Sequence, residues 1–141
     1  MRLVNGLLCL VMVLFAAVQY NDPDLAFWIP VYAVAALWAG LAAYRPALLC
    51  GLWPSLGLAA CLALAVGLTV GFWPGDAHWW RQEVWWQSET AREGMGLMIV
   101  TATLLVVAAS RLITRSRVRS PAGKRSRLAG PDQGENPLLR T

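Results

Sequence analysis

Residues 25–44 read LAFWIPVYAVAALWAGLAAY, twenty positions without a charged side chain. A helix of about 20 apolar residues crosses the roughly 30 Å hydrocarbon core of a bilayer, and this stretch has that length. Outward from it lie three more apolar stretches of the same class, residues 3–20, 54–73 and 94–113. None alternates with the period-2 pattern of a barrel strand. In lipid the backbone must satisfy its own hydrogen bonds, which leaves helices as the spanning element. The whole chain agrees: of 141 residues 57% are hydrophobic and 14% charged, where a soluble domain carries about 25% charged residues. The sequence therefore predicts an all-α membrane protein, a four-transmembrane-helix bundle over residues 1–113.

The charges are unevenly placed. Residues 1–110 hold four basic and six acidic side chains, whereas residues 111–141 hold eight basic and two acidic. The net charge of +4 belongs to this tail, which is read as a basic, disordered cytoplasmic segment, because its Arg, Ser, Gly and Pro content cannot bury a core. It carries no aromatic residue to stack on a base, so no nucleic-acid partner is expected; contact with anionic lipid is. Basic residues near span ends mark the cytoplasmic side. Arg2, Arg45 and the run beginning at Arg111 fall on one side of a four-span chain, and all six acidic residues of the body fall on the other. Both termini are expected inside, in the cytoplasmic membrane if the protein is bacterial. Arg2 followed by an apolar run also resembles a signal peptide, but the run is long for that role, and a retained first helix is the reading. Cys9, Cys50 and Cys61 are odd in number, lie in or beside spans, and are read as packing residues.

Small residues recur every four positions in two spans: Ala35, Ala39 and Ala43, and again Ala59, Ala63, Gly67 and Gly71. Such stripes let helices approach where lipid offers no hydrophobic drive. Internal packing of one bundle is the expected use; a homo-oligomer or another membrane protein is the alternative.

Two polar patches punctuate the outer side. The first connection, Gln19-Tyr20-Asn21-Asp22-Pro23-Asp24, has a structural explanation: Asp22 as N-cap, Pro23 at the first helical position, and Asp24 near the positive end of the helix dipole. Pro30 is expected to bend the second helix beside Trp28 and Tyr32, which share a face at i and i+4. The fourth span opens Glu89-Thr90-Ala91-Arg92-Glu93-Gly94-Met95-Gly96, where Thr90 and Glu93 have capping-box spacing. Glu89 and Glu93, four apart, repel unless Arg92, another donor or a cation compensates them. Between the third and fourth spans, residues 78–86 carry four Trp and are read as an interfacial loop or short helix. The candidate polar site is thus Gln19, Asn21, Asp22, Asp24, Glu89, Arg92 and Glu93, with Arg92 expected to pair with a carboxylate and Trp28, Tyr32, Trp79 and Trp80 as aromatic surround.

These two patches resemble the transmembrane protein 220 family, small four-helix membrane proteins. The resemblance covers about residues 3–113 in layout. It implies a four-helix fold and directs attention to the outer motifs, but it implies no reaction.

Enzyme motifs are missing from the sequence: no H-E-x-x-H, Walker loop, G-x-S-x-G or C-x-x-C, and one His in all. The main reading is a non-enzymatic membrane component that interacts with lipid or another membrane protein. The alternative is a binder of a cation or small polar ligand at the carboxylate and Arg cluster, with Ca²⁺ or Mg²⁺ favoured over thiolate-bound metals because the ligands are oxygens; a small enzyme or transporter ranks third. No catalytic residue and no cofactor is assigned, and a metal stays undecided. Reporter fusions at Arg45 and after Arg119 should report the cytoplasm, and fusions near Asp22 and Gln82 the outside; ends on opposite sides would break the four-span reading.

Overall fold

The computed structural model describes residues 1–73, 75, 78 and 80–128, the side chains of 85, 86 and 117–128 excepted. Helix α1 spans Arg2–Val18, α2 Leu25–Tyr44, α3 Leu52–Gly71, the short α4 Gln82–Gln87 and α5 Glu89–Leu128. Short 3-10 turns at Gln19–Asn21 and Pro46–Cys50 join α1 to α2 and α2 to α3. Four of the helices are long and apolar enough to cross a membrane, so the four-span reading holds. Helix α5 does not stop at residue 113 but continues to Leu128. Once a span nucleates a helix, extension costs little for good helix formers such as the Arg, Lys, Ala and Leu beyond it, which carry it on even though Pro121 and Gly123 oppose it. The segment read as a disordered tail therefore begins as helix; residues 129–141 lie outside the described residues.

The bundle is built around α2 and α5, with α1 packed on α2 and α3 on α5. Helix α2 buries Trp28, Tyr32, Ala35, Ala36, Ala39, Ala42 and Ala43, a stripe at helical spacing that is aromatic at one end and alanine at the other. Helix α5 answers with Leu97, Val100, Leu104 and Val107. The outer faces are apolar too: Leu3, Leu7, Leu37, Leu64 and Val70 are all more than 60% exposed, which only a lipid solvent tolerates over so large an area.

The two small-residue stripes part company. Ala35, Ala39 and Ala43 are buried against neighbouring helices as expected. Ala59, Ala63, Gly67 and Gly71 face outward, and nothing described lies within 4 Å of a Cβ built at Gly67 or Gly71. Internal packing does not explain the α3 stripe, because α3 meets the bundle through Leu58, Ala65 and their neighbours instead.

Polar ties lock the end of the bundle that holds the N-terminus. Arg2 donates Nε–H to the Ala43 carbonyl (3.1 Å), Asn5 donates from Nδ2 to the Ser110 hydroxyl (3.0 Å), and Arg111 donates Nε–H to the Leu49 carbonyl (2.7 Å). Mid-bundle, the hydroxyls of Thr69 and Thr101 pair at 2.9 Å and tie α3 to α5. Trp38 packs between helices, donating its indole N–H to Cys61 Sγ at 3.4 Å and lying against Gly57. All three cysteines are free thiols, in keeping with a packing role.

At the opposite end α2 and α5 meet where Tyr32 crosses Gly96. A Cβ added at Gly96 would overlap the Tyr32 hydroxyl. Gly96→Ala should therefore destabilise the protein by about 1–3 kcal/mol, the usual cost of overpacking, and Tyr32→Phe in the same chain should recover part of that loss. Thermal unfolding of the purified single and double variants checks this; a Gly96→Ala variant as stable as the wild type would contradict the contact.

Candidate functional site

The pocket sits at this second end, and local chain chemistry decides which side chains reach it. The first connection runs two residues further before α2 begins than the reading of Asp22 as N-cap places it. Helix α2 starts at Leu25, with Asp24 in the N-cap position, and the Asp22 carboxylate accepts the Asp24 amide hydrogen at 2.8 Å. Asp22 thus closes an Asx turn ahead of the helix instead of capping it. Pro23 lies before the helix, not at its first position.

Helix α5 also starts differently. Ser88 Oγ accepts the amide hydrogen of Ala91 at 3.3 Å, so Ser88 is the capping residue and Thr90 lies inside the first turn. The expected Thr90 and Glu93 capping box is not formed. A helix takes one cap, and Ser88 is placed to supply it. Glu93 is thereby released from a capping role.

What Glu93 does instead is line a cavity of about 190 Å³ together with Gln19, Asp22, Trp28, Tyr32, Glu89 and Arg92. Glu89, Arg92 and Glu93 stand at i, i+3 and i+4, one face of α5. Trp28 and Tyr32 form the buried wall, 3% and 5% exposed, with ring centroids 6.1 Å apart and planes 29° from parallel. Phe15 meets Tyr32 edge-on at 5.6 Å, and Phe27 and Phe72 back the Trp28 ring. Gln19 and Tyr32 line both this cavity and the space beside it. Glu93 has Glu89, Asp22, Asp24 and Arg92 as charged neighbours. Among the described residues Arg92 makes no ion pair of 4.0 Å or less, contrary to the pair anticipated from its position. Its guanidinium and the carboxylates stand around the cavity, not against each other.

Of the residues singled out in the sequence, Gln19, Asp22, Trp28, Tyr32, Glu89, Arg92 and Glu93 therefore converge. Asn21 and Asp24 are exposed and do not line the cavity; Asp24 acts on it only through its charge. Trp80 is 64% exposed and packs edge-on against His78 at 5.1 Å, away from the cavity lining. Trp79 lies outside the described residues. Among the described residues no group of three or more His, Cys, Asp or Glu is placed to hold a metal ion.

The sequence reading missed a second hollow. A groove of about 250 Å³ adjoins the first, lined by Phe15, Val18, Gln19, Tyr32, Arg92, Met95, Gly96 and Ile99, and shares Gln19, Tyr32 and Arg92 with it. Its signal was present: Arg92, Met95, Gly96 and Ile99 recur at i, i+3, i+4 and i+7, so one α5 stripe changes from charged to apolar as it descends.

The family model described as transmembrane family 220, helix, matches residues 11–109, a stretch that includes every lining residue of both hollows. The chain belongs to transmembrane family 220. No solved structure matches it. Membership establishes a multi-pass membrane protein and leaves the tail beyond residue 109 outside the matched region.

The capping assignment has a direct check. Ser88→Ala should cost about 0.5–2 kcal/mol, the usual range for a lost N-cap, whereas Thr90→Ala should change stability by a few tenths of a kcal/mol at most. Chemical or thermal unfolding of the two variants side by side distinguishes them; equal losses would restore the capping box.

Proposed function

We propose that this protein is a non-enzymatic, lipid-interacting membrane component that holds a small, positively charged polar group in the pocket at the head of α5. The observation that carries the reading is charge balance. Three carboxylates, those of Asp22, Glu89 and Glu93, line one cavity with a single guanidinium, Arg92. Like charges so close favour a cationic occupant, and the faces of Trp28 and Tyr32 attract a cation as well. The lining residues hold charge and donate or accept hydrogen bonds. An organic ammonium suits this set better than bare Ca²⁺ or Mg²⁺, which need six to eight or near-octahedral oxygens close around the ion, a gathering that the described residues do not make.

Within the same reading, both termini face the cytoplasm, and the arginines from Arg111 onward hold that end against anionic lipid. A second reading concerns α3, whose outward stripe of Ala59, Ala63, Gly67 and Gly71 is flat enough for a helix of another copy or another membrane protein to approach closely.

The pocket is tested with soluble probes on the detergent-purified protein. Ethanolamine and phosphoethanolamine should raise the Tm of the wild type, glycerol phosphate should not, and Glu93→Gln should raise the half-saturating concentration at least tenfold. Failure of every amine to shift the Tm, or an unchanged response in Glu93→Gln, would overturn the reading.

A further inference from the structure

The polar pocket and the groove beside it differ in chemistry and share Arg92. Glu89 and Glu93 line only the pocket, Arg92 lines both hollows, and Met95 and Ile99 line only the groove. From Arg92 to Ile99 is seven residues, a descent of about 10 Å along a helix axis, into the part of the bundle that lipid surrounds. On the facing helix Val18 and Phe15 continue the same wall. Gly96, without a side chain, leaves the floor of the groove to the Tyr32 hydroxyl.

We propose that pocket and groove together hold one phospholipid with an ethanolamine head group, an inference that rests on reading the pocket as a site for a cationic group. From pocket to groove the lining passes from three carboxylates, through the shared Arg92, to apolar side chains. An ethanolamine phospholipid presents the complement in the same order: ammonium, phosphodiester, acyl chain. The ammonium lies among the Asp22, Glu89 and Glu93 carboxylates, beside the Trp28 and Tyr32 rings. The phosphodiester lies at Arg92, whose planar fork of donors suits two phosphate oxygens. The first part of one acyl chain follows the α1 and α5 walls past Val18, Met95 and Ile99. A primary ammonium is favoured over choline because its three N–H donors satisfy carboxylate acceptors, which a quaternary nitrogen cannot. The 190 Å³ of the pocket is below the usual range of about 300–1,000 Å³ for small-molecule sites and suits a head group whose remaining bulk lies elsewhere.

The test is thermal stability of the full-length protein in mild detergent, titrated with lysophosphatidylethanolamine, lysophosphatidylcholine, lysophosphatidylglycerol and free phosphoethanolamine. The ethanolamine lysolipid should stabilise at concentrations at least tenfold lower than the other two lysolipids and than free phosphoethanolamine. Arg92→Gln should raise its half-saturating concentration tenfold or more. Val18→Trp, a change at a position 67% exposed and therefore safe for folding, should crowd the groove and weaken the lysolipid tenfold while leaving the phosphoethanolamine response unchanged. Stabilisation by phosphoethanolamine without preference among the lysolipids, or without an effect of Val18→Trp, overturns the lipid proposal and leaves the pocket reading standing. No response to any of the four compounds overturns both.

Discussion

The arrangement depends on how closely α2 can approach its neighbours. Lipid tails are as apolar as leucine, so helices in a bilayer gain little by hiding apolar side chains from their solvent. They associate where backbones come near enough for dense packing. Helix α2 supplies that nearness with Ala35, Ala39, Ala42 and Ala43 along one buried stripe, and α5 supplies it with Gly96 under Tyr32. With both in place, α1 and α5 are held on α2, and the aromatic end of the α2 stripe is carried to the level where α5 begins. Hydrogen bonds of Arg2, Asn5 and Arg111 hold the other end, so the hairpins cannot splay independently.

The polar cavity is a consequence of that geometry together with two caps. Asp22 uses one carboxylate oxygen for the Asp24 amide, which fixes its side chain at the turn, and Ser88 caps α5, which leaves Glu93 out of a capping box while Glu89 sits in the first turn near the positive end of the helix dipole. The cavity lies where the α1–α2 connection, α2 and the start of α5 come together, so its charges stand around a small space backed by the buried Trp28 and Tyr32 rings.

The candidate site was legible in the sequence to the extent that its residues are polar in an apolar chain. Gln19, Asp22, Glu89, Arg92 and Glu93 stand out because the spans around them carry so few charges. Their convergence was not legible, since residues 19–22 and 89–93 are joined only through packing. Asn21 and Asp24 belong to the same motif by spacing yet do not line the cavity: the 3-10 turn at Gln19–Asn21 rotates successive side chains by about 120°, and Asp24 lies past it at the N-cap of α2. The groove was hidden for another reason: Met95 and Ile99 look like any apolar span residues until α1 is seen to leave room beside them.

By itself the sequence determined the solvent of this protein, the number of its spans and the approximate ends of most of them. Those follow from length and transfer free energy, which are local properties of a chain in lipid. The tertiary structure decided which small-residue stripe is used inside the bundle, since Ala35 and Ala59 look alike until the helices are rotated against each other. It decided as well which hydroxyl caps α5, where Ser88 and Thr90 offered the same chemistry two residues apart. Contact across helices is a matter of rotation and depth, and a one-dimensional pattern does not carry either.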